Sequence, residues 1–551
     1  MSELRRSPYI AIEQKWMQRW DTDRLYRADD ASDKPTFTCI DMYPYPSGSG
    51  LHVGHVEGYT ATDILSRSKR MQGFEVLHPM GWDAMGLPTE NYAIATGENP
   101  HEVTSRNADV FRSQCKRMGF SIDWDREIDT SDKEYYKFTQ ELFLKLLDEG
   151  VAYKAEGPVN WCGDCQTSLS NDQSKGGCCE RCSSPVEIRN IEQWYFKITD
   201  YAERLLENID TLDWPASTIE TQRNWIGKTE GFELKMDIDG EAEQLDLFVT
   251  EPEALSNSSY IIVAQDHPSV MSLISDNQRQ AVESYMSSHT LNEVQRKKAG
   301  ADLGVPTGKF VINPLTGSQM DIRVSNTVLM DEYGGVRLGK EIEKDGESSM
   351  LSRDEVLKQL GEKAKPAVHY KLRDWLISRE RYWGAPIPMT NCDNCGDQPI
   401  ALDQLPVELP EMADFKPVGT PPLARVPEFF NTTCGCCGGA ATREAKTLDT
   451  FVDSAWYYMR YADPKNTEVV GDPALIDRWL PVDFYVGASD HATGHLLYAR
   501  FITKVLFDRG EVPFDEPFKQ LFHQGMIMGE DGRKMGKRYN NGVRPEDVAD
   551  Q

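Results

Sequence analysis

Two histidines and a cluster of glycines follow a short apolar segment near the start of the chain. The apolar segment, Thr36–Met42, has the composition of a buried strand. The next residues, Pro44–His55 (PYPSGSGLHVGH), predict a loop, and those after His52 predict a helix that ends at Gly73, before a second strand over Phe74–His78. A helix N-terminus presents free backbone N–H groups and a positive dipole, so this one could bind a phosphate. An ordinary loop is the alternative for so short a motif.

Two lysines three residues apart form a second candidate phosphate site far downstream, within Gly532–Arg538 (GRKMGKR). They follow a predicted strand over Asp483–Gly487 and a helix whose apolar residues run from Leu496 to Leu506 and which ends before Gly510. Two lysines on a glycine-containing loop could hold the polyphosphate that leaves a nucleotide. Taken alone, the same pattern is more often a solvated charged loop.

Eight cysteines are arranged as four C-x-x-C pairs, and we predict that they form two zinc sites. The two groups are Cys162, Cys165, Cys179 and Cys182, and Cys392, Cys395, Cys434 and Cys437. Paired knuckles of this kind supply four thiolates to a tetrahedral zinc ion, with no open position left for a catalytic water. Disulfides are the alternative, which an intracellular chain disfavours. Cys178 and Cys436 adjoin the knuckles as competing ligands, whereas Cys39 and Cys115 are predicted core residues.

The length and charge of the chain restrict its function only loosely. Its 551 residues are enough for several domains, each with a core of its own. Because it has no run of 18 apolar residues and no signal-like start, we expect a soluble, cytoplasmic protein without membrane contact. The net charge of −28 is unfavourable for a nucleic-acid binder. Either such contacts are confined to local basic patches or the host cytoplasm is salty, and both interpretations stay open.

The motifs together resemble those of the leucyl-tRNA synthetases of bacterial type, which are class I aminoacyl-tRNA synthetases. His52–His55 (HVGH) is similar to the HIGH element of that family, and Lys534–Arg538 (KMGKR) is similar to its KMSKS loop. Four more blocks resemble the leucyl enzymes more than the isoleucyl or valyl ones: Tyr43–Gly48, Leu77–Pro88, Asp374–Gly384 and Asp449–Trp456. The resemblance extends from near Tyr9 to the end of the chain and is weakest between about 235 and 369.

This resemblance, with the two strand–helix–strand units, implies an α/β fold: a Rossmann-type, doubly wound parallel sheet that is split by insertions. The predicted parts are the first catalytic half (1–150), a zinc module (151–188), a connector (189–231), an editing-like insertion (232–369) and the second catalytic half (370–551) with the second zinc module at 390–440. The insertion is strand-rich at both ends, with a polar helical stretch near 277–300. Its predicted strands are Phe232–Asp237, Leu245–Thr250, Tyr260–Ala264, Phe310–Asn313 and Met320–Val324.

The family's activity is also implied. The protein would activate L-leucine with ATP and Mg²⁺ to leucyl-adenylate and pass the leucyl group to the 3′ end of tRNA(Leu), working as a monomer. No protein nucleophile is needed, so catalysis consists of positioning and charge stabilisation. By resemblance, His52 and His55 contact the triphosphate, while Lys534 and Lys537 close over its β and γ phosphates.

The resemblance assigns further residues to the substrates. Asp83 would hold the leucine ammonium and Tyr45 would form part of the wall around the leucine side chain. Gly54 lets a phosphate or purine approach the backbone, and Gly487 and Asp490 occupy the place where the family binds adenosine. Two of the assignments have local alternatives. Asp83 could cap a helix, and His491, which with His495 would lie on one helical face, could be a half-buried polar residue.

Three departures from the family pattern modify these expectations. Gly536 replaces a serine of the lysine loop, for which we expect a modest effect on rate. In the insertion, the family's threonine-rich block with arginine and aspartate reads Val249–Ala254 (VTEPEA), and the aspartate that binds the mischarged amino group has no counterpart, so editing is predicted to be lost unless Asp331 or Asp321 replaces it. The chain ends at Gln551, before any anticodon-binding bundle or C-terminal tRNA-binding domain.

Two alternative functions remain at this stage. A paralogue could form leucyl-adenylate and transfer leucine to an acceptor other than tRNA, and the missing C-terminal part leaves that open. A catalytically silent protein could keep the fold only for binding. The intact residues His52, His55, Lys534 and Lys537 argue against silence.

Overall fold

A computed structural model of the protein describes residues 9–47, 50–288, 303–330, 333–339, 351–412, 414–416, 418–535 and 541–549. The α-helices in this part of the chain are α1 (Ile10–Thr22), α2 (Val53–Met71), α3 (Leu87–Thr96), α4 (Pro100–Met118), α5 (Lys133–Asp148), α6 (Ala202–Glu207), α7 (Ala216–Ile226), α8 (Arg279–Ser288), α9 (Arg353–Leu360), α10 (Pro427–Phe430), α11 (Thr450–Ser454), α12 (Tyr457–Arg460), α13 (Pro473–Trp479), α14 (His495–Asp508) and α15 (Pro545–Ala549). Among the described helices, none has both the length and the apolar character needed to cross a membrane.

The strands, in chain order, are β1 (Thr36–Asp41), β2 (Glu75–Leu77), β3 (Gly81–Trp82), β4 (Ile128–Asp129), β5 (Ala152–Cys162), β6 (Thr167–Leu169), β7 (Val186–Phe196), β8 (Thr229–Asp237), β9 (Gln244–Val249), β10 (Tyr260–Ala264), β11 (Val305–Ile312), β12 (Gln319–Ser325), β13 (Val336–Leu338), β14 (Ala364–His369), β15 (Trp375–Leu376), β16 (Ser378–Arg379), β17 (Met389–Cys392), β18 (Gly396–Pro399), β19 (Asn431–Thr433), β20 (Ala440–Arg443), β21 (Thr447–Leu448), β22 (Val482–Val486) and β23 (Phe518–Phe522).

A four-stranded parallel sheet with the strand order β2–β1–β22–β23 forms the centre of the molecule. Helix α2 connects β1 to β2 on one side, and α14 connects β22 to β23 on the other. The predicted parallel α/β sheet is therefore confirmed. The strand order reverses between β1 and β22, and in open α/β sheets the crevice at the carboxyl ends of such a strand pair is where ligands bind.

Helix α2 lies where the sequence predicts it, and the residues it buries are not its large apolar ones. Ile64 and Met71, two of the apolar residues that recur at roughly helical spacing, are 63% and 83% exposed. Small and polar residues pack inward because the helix lies close to β1, where the Thr62 hydroxyl donates a 2.6 Å hydrogen bond to the Asp41 carboxylate. The buried residues of this helix are Gly58, Tyr59, Thr62 and Ser66.

The insertion consists of two small sheets around a separate apolar core. Strands β14, β8 and β9 form an antiparallel sheet, and β11, β12, β10 and β13 form a mixed one. All five predicted strands are present. Helix α8 lies in the predicted polar helical stretch, and residues 289–302 of that stretch lie outside the described residues. The predicted boundaries between the parts of the chain stay predictions.

Buried arginines of the second half of the chain hold the first group of cysteines in place. Arg379 donates to the Asp449 carboxylate at 2.8 Å and to the Gln173 side chain at 2.7 Å. Arg381 donates to the backbone carbonyl of Cys165 at 2.6 Å. Removing one partner of a buried ion pair costs about 3–5 kcal/mol, so we expect these contacts to fix the cysteine segment firmly against the central core.

Candidate active site

A cleft of about 500 Å³ opens at the carboxyl ends of β1 and β22. Its volume falls within the range of roughly 300–1,000 Å³ that is typical of small-molecule sites. The cleft is lined by every predicted substrate-site residue that the structure describes: Tyr45, His52, Gly54, His55, Asp83, Gly487, Asp490, His491 and Lys534. The remaining one, Lys537, lies outside the described residues.

The two histidines of the HVGH motif begin helix α2 and hold each other in place. His52 is the N-cap residue, and its Nδ1 accepts a 3.1 Å hydrogen bond from the Gly54 backbone N–H. The His52 backbone N–H in turn donates to His55 Nδ1 at 3.2 Å, and the two rings are 4.0 Å apart. A Cβ atom at Gly54 would lie 2.9 Å from the His52 ring, so a side chain there would displace the imidazole.

The end of β22 and the lysine loop form the opposite side of the cleft. Gly487 follows β22, and a Cβ atom there would lie 2.0 Å from the sulfur of Met42, so a side chain at this position would displace Met42. The Lys534 ammonium and the Asp490 carboxylate form a 2.8 Å ion pair. Burial opposes ionisation of Asp490, but the charges of His491 and Lys534 outweigh it and lower the pKa of this carboxyl. Lys534 is thus held at the mouth of the cleft.

Asp83 places a buried carboxylate in the cleft. Asp83 is 4% exposed, and the Thr450 hydroxyl donates a 2.8 Å hydrogen bond to one of its carboxylate oxygens. Burial raises the pKa of Asp83 well above its usual range, and the bond from Thr450 opposes that shift. The alternative that Asp83 caps a helix is wrong, because helix α3 begins at Leu87 and has Gly86 as its N-cap. A desolvated carboxylate of this kind favours a cationic ligand.

His491 and His495 do not share one helical face, which corrects the expectation from their spacing. His491 ends a short 3₁₀ turn, whereas His495 begins α14 after a break in the helix. Their rings are 6.1 Å apart and nearly perpendicular. Burial, and next to it the charge of His491, lowers the pKa of His495 to about 3, so its imidazole is neutral. Its Nε2 is hydrogen-bonded to the Tyr485 hydroxyl at 2.6 Å.

Aromatic residues that the sequence interpretation did not assign form the floor of the cleft. Tyr43 stacks on Tyr457 with ring centroids 4.0 Å apart, and the Tyr457 and Tyr485 hydroxyls are hydrogen-bonded at 2.7 Å. Phe451 and Ser454 line the cleft beside them. Phe451 and Ser454 belong to the block Asp449–Trp456. That block showed a resemblance to the family but assigned no role to its individual residues. The floor is apolar with hydroxyl groups fixed against one another, which suits a small aliphatic side chain.

A cation that contacts the cleft residue Tyr45 comes from the first cysteine group. The guanidinium of Arg181, between Cys179 and Cys182, lies 5.3 Å from the centre of the Tyr45 ring. Nothing in the local sequence relates Arg181 to the residues of the HVGH loop. Sequence reasoning missed it because the contact depends on how the cysteine segment packs in three dimensions.

The eight predicted metal ligands form two groups of four sulfur atoms, and within each group all sulfurs lie within 4.8 Å of one another. The sulfurs of Cys162 and Cys182 are 3.3 Å apart and those of Cys392 and Cys437 are 3.6 Å apart. Tetrahedral zinc with bonds of about 2.3 Å needs edges of about 3.8 Å, whereas a disulfide bond is about 2.05 Å long. Both groups therefore fit zinc. Cys178 and Cys436 lie outside the two groups.

Backbone groups around the sulfurs also favour thiolates. The Cys165 backbone N–H donates to the sulfur of Cys162 at 3.3 Å. In the other group, the backbone N–H groups of Cys437 and Cys436 lower the pKa of Cys434 to about 7. Thiolate is the form that binds metal. The predicted core residues Cys39 and Cys115 are fully buried away from both groups.

We expect protein purified without chelator to contain two zinc ions per chain. The serine variants Cys165→Ser and Cys434→Ser should each lose one ion, because each removes one of four thiolates. The matched controls are Cys178→Ser and Cys436→Ser, which change the neighbouring cysteines and should keep both ions. Elemental analysis measures the content. A value near zero in the unchanged protein, with all twelve thiols reactive under native conditions, would contradict both sites.

Comparison with known proteins gives two family matches. The model described as tRNA synthetases class I (I, L, M and V) matches residues 15–232 and 353–551. The model described as the leucyl-tRNA synthetase editing domain matches residues 223–337. The match to the second model places an editing-domain fold in the insertion.

Two solved structures were compared with this chain, and the first of them supports the fold. The ternary complex of Agrobacterium radiobacter K84 agnB2 LeuRS with tRNA and LeuAMS is 36% identical with a TM-score of 0.88, over 98% of this chain and 70% of that one. Mycobacterium tuberculosis methionyl-tRNA synthetase bound by methionyl-adenylate is 17% identical with a TM-score of 0.46, over 94% of this chain and 62% of that one.

Proposed function

Because the chain belongs to the leucyl-tRNA synthetases, within the class I aminoacyl-tRNA synthetases, we propose that it activates leucine with ATP and transfers the leucyl group to the 3′ end of tRNA(Leu). The observation that carries this proposal is the cleft at the carboxyl ends of β1 and β22. Residues from four separate segments, each assigned from the sequence to leucine or ATP, line that single cleft.

The first step of the proposed reaction is attack by the leucine carboxylate on the α-phosphorus of ATP, which expels pyrophosphate. ATP enters as its magnesium complex. His52 and His55 lie at the positive N-terminus of α2 and donate to the triphosphate as charge develops. Lys534 exchanges its partner Asp490 for the β and γ phosphates, and the family resemblance assigns Lys537 to the same phosphates. The protein supplies position and charge, and no covalent intermediate with the enzyme is required.

The same cleft would hold leucine at its other end. Asp83 is a desolvated carboxylate, and pairing with the leucine ammonium would offset its burial. Tyr45 and the aromatic floor would surround the aliphatic side chain. On the nucleotide side, the backbone of Gly487 lines the part of the cleft where adenosine would bind, and Asp490 and His491 lie at its edge. In the second step, a ribose hydroxyl of the tRNA terminus attacks the adenylate carbonyl and releases AMP.

Two assays on the unchanged protein test the proposal. Pyrophosphate exchange into ATP should depend on leucine, and tRNA(Leu) should become charged with leucine. Exchange with isoleucine or valine in place of leucine would overturn the assignment of the amino acid. Leucine-dependent exchange without tRNA charging would favour the paralogue with another acceptor, and the absence of both reactions would favour a silent binding protein. The monomeric state and the cytoplasmic location stay predictions.

We further propose that the insertion has kept its fold and lost its hydrolytic function. After β9 ends at Val249, the chain presents Glu251 to solvent where the family has a basic, threonine-rich block. An acidic residue there repels the phosphates of an approaching tRNA end. Of the two aspartates that could substitute for the missing one, Asp321 lies 3.6 Å from the guanidinium of Arg323 and so already faces a cation, and Asp331 lies outside the described residues.

We expect this protein to deacylate tRNA(Leu) carrying norvaline or isoleucine no faster than the background rate. Selection in the synthetic cleft alone is worth about 1–3 kcal/mol against such side chains, so mischarged tRNA should accumulate. The control is the same protein with residues 232–369 replaced by a short linker. Hydrolysis by the full chain that disappears in this control would contradict the proposal, whereas equal slow decay in both is the expected result.

A further inference from the structure

We propose that Arg181 is a positioning residue of the leucine site, which holds Tyr45 in place. This inference rests on the proposed function, because it assigns Arg181 a part in binding leucine. It also gives the first cysteine group, Cys162, Cys165, Cys179 and Cys182, a role beyond local stability. The group carries the arginine that contacts Tyr45, and Tyr45 lines the cleft.

The first observation is the contact between Arg181 and Tyr45. The guanidinium lies 5.3 Å from the centre of the aromatic ring, within the distance of about 6 Å at which a cation and a ring attract each other. The Arg181 side chain is only 25% exposed, and its Nε lies 3.1 Å from the Glu180 carboxylate. The guanidinium of an arginine stays charged in proteins, so Arg181 presents a cation to the Tyr45 ring.

The second observation is the rigid support of the segment that carries Arg181. Cys179 and Cys182 flank the arginine, so metal binding would fix the turn from which its side chain extends. The buried residue Leu87 packs against Cys162, Cys165 and Cys179. Leu87 begins helix α3, directly after the loop that contains Asp83. The cysteine group therefore packs against the segment that places the carboxylate in the cleft.

Arg379 and Arg381 complete this support from the opposite side. Arg379 donates to the side chain of Gln173, and Arg381 donates to the backbone carbonyl of Cys165. Both arginines are buried, and Arg379 also pairs with Asp449, next to the Thr450 that bonds Asp83. The cysteine segment is thus tied to both halves of the cleft and cannot shift without breaking buried contacts.

The third observation is the place of the contact within the cleft. Tyr45 and Asp83 both line the cleft, and the Thr450 hydroxyl donates to the Asp83 carboxylate at 2.8 Å. In the proposed function these two residues belong to the leucine end of the cleft. Loss of Arg181 would therefore loosen Tyr45 where leucine binds, whereas ATP would bind at the HVGH and lysine-loop side.

The variant Arg181→Ala tests this inference in leucine-dependent pyrophosphate exchange. We expect KM for leucine to rise about tenfold, with kcat and KM for ATP within about twofold of the unchanged protein. The preference for leucine over isoleucine should fall, because Tyr45 is less restrained. Arg181→Lys keeps the charge but not the planar group and should recover part of the affinity. Zinc content should stay at two per chain in both variants.

The matched control is Arg189→Ala. Arg189 belongs to the same segment and lies over the Trp161 ring at 4.7 Å, and Trp161, unlike Tyr45, does not line the cleft. This variant should leave KM for leucine unchanged. An unchanged KM in Arg181→Ala would overturn the inference, and so would a loss of zinc or of ATP affinity, because either would indicate a structural role alone. If the unchanged protein itself shows no leucine-dependent exchange, the proposed function fails and this inference fails with it.

Discussion

Replacing Asp83 with asparagine should lower kcat/KM for leucine roughly 30- to 5,000-fold, which corresponds to a loss of about 2–5 kcal/mol of transition-state stabilisation. The reason is that the leucine ammonium enters a cleft where the Asp83 carboxylate is its predicted counter-charge, and asparagine would leave that ammonium desolvated without a partner. KM for ATP should change little. Leucine-dependent pyrophosphate exchange over a range of leucine concentrations measures the effect.

The pH dependence gives a second readout of the same residue. Burial raises the pKa of Asp83. At a pH above that pKa the carboxylate is ionised and the unchanged protein should bind leucine. As the pH falls through the pKa, affinity for leucine should be lost. Asp83→Asn should remove this dependence. The control is Asp129→Asn, a half-buried carboxylate that accepts hydrogen bonds from Ser131 away from the cleft. A leucine KM that is equal in Asp83→Asn and the unchanged protein would exclude Asp83 as the ammonium partner.

Replacing Lys537 with alanine should lower kcat of leucine activation roughly 30- to 900-fold, which corresponds to a loss of about 2–4 kcal/mol of transition-state stabilisation. In the proposed mechanism Lys537 stabilises negative charge that develops on the leaving pyrophosphate, so its loss should affect the transition state more than the binding of ATP. Single-turnover formation of leucyl-adenylate, measured at saturating ATP and leucine, isolates this step from product release.

A nearby surface lysine provides the control for that experiment. Lys519 forms a 2.7 Å ion pair with Asp483 on the strands that border the cleft, and it is exposed. Lys519→Ala removes the same charge from the protein as Lys537→Ala, and surface ion pairs contribute little to stability. It should therefore leave the rate nearly unchanged. Similar rates for the two variants would assign Lys537 to the solvated surface.

Local features of the sequence predicted the parts of the site that depend on backbone shape. The HVGH loop was identifiable because loop, helix start and close backbone approach need particular residue types at particular positions, whereas Gly487 was assigned by family resemblance. The C-x-x-C spacing predicted both sulfur groups for a similar reason, since each pair is contained in one hairpin turn. The assignment of Asp83 needed the surrounding family block, because an aspartate in a turn has several local uses.

Contacts between distant segments could not be predicted in this way. Arg181 meets Tyr45 only because the cysteine segment packs beside the cleft, and no period or spacing encodes that packing. The buried face of α2 could not be predicted from hydrophobic periodicity, because Thr62 and Ser66 are buried polar residues, which that periodicity assigns to solvent. The prediction that His491 and His495 lie on one helical face was wrong. Their spacing fits one face, but a break in the helix separates them.

The pairing of β1 with β22 has a consequence for the synthesis of this chain on the ribosome. Thr38 on β1 and Asp483 on β22 are hydrogen-bonded across 445 residues. At about 5–20 residues per second, β1 waits roughly 20–90 s for its neighbour, with its inner edge unpaired. Strands β8 and β14 meet much earlier, so the insertion can fold while the catalytic sheet is still open. We therefore expect nascent chains that stop short of β22 to need chaperone protection of that edge, even though their insertion is already folded.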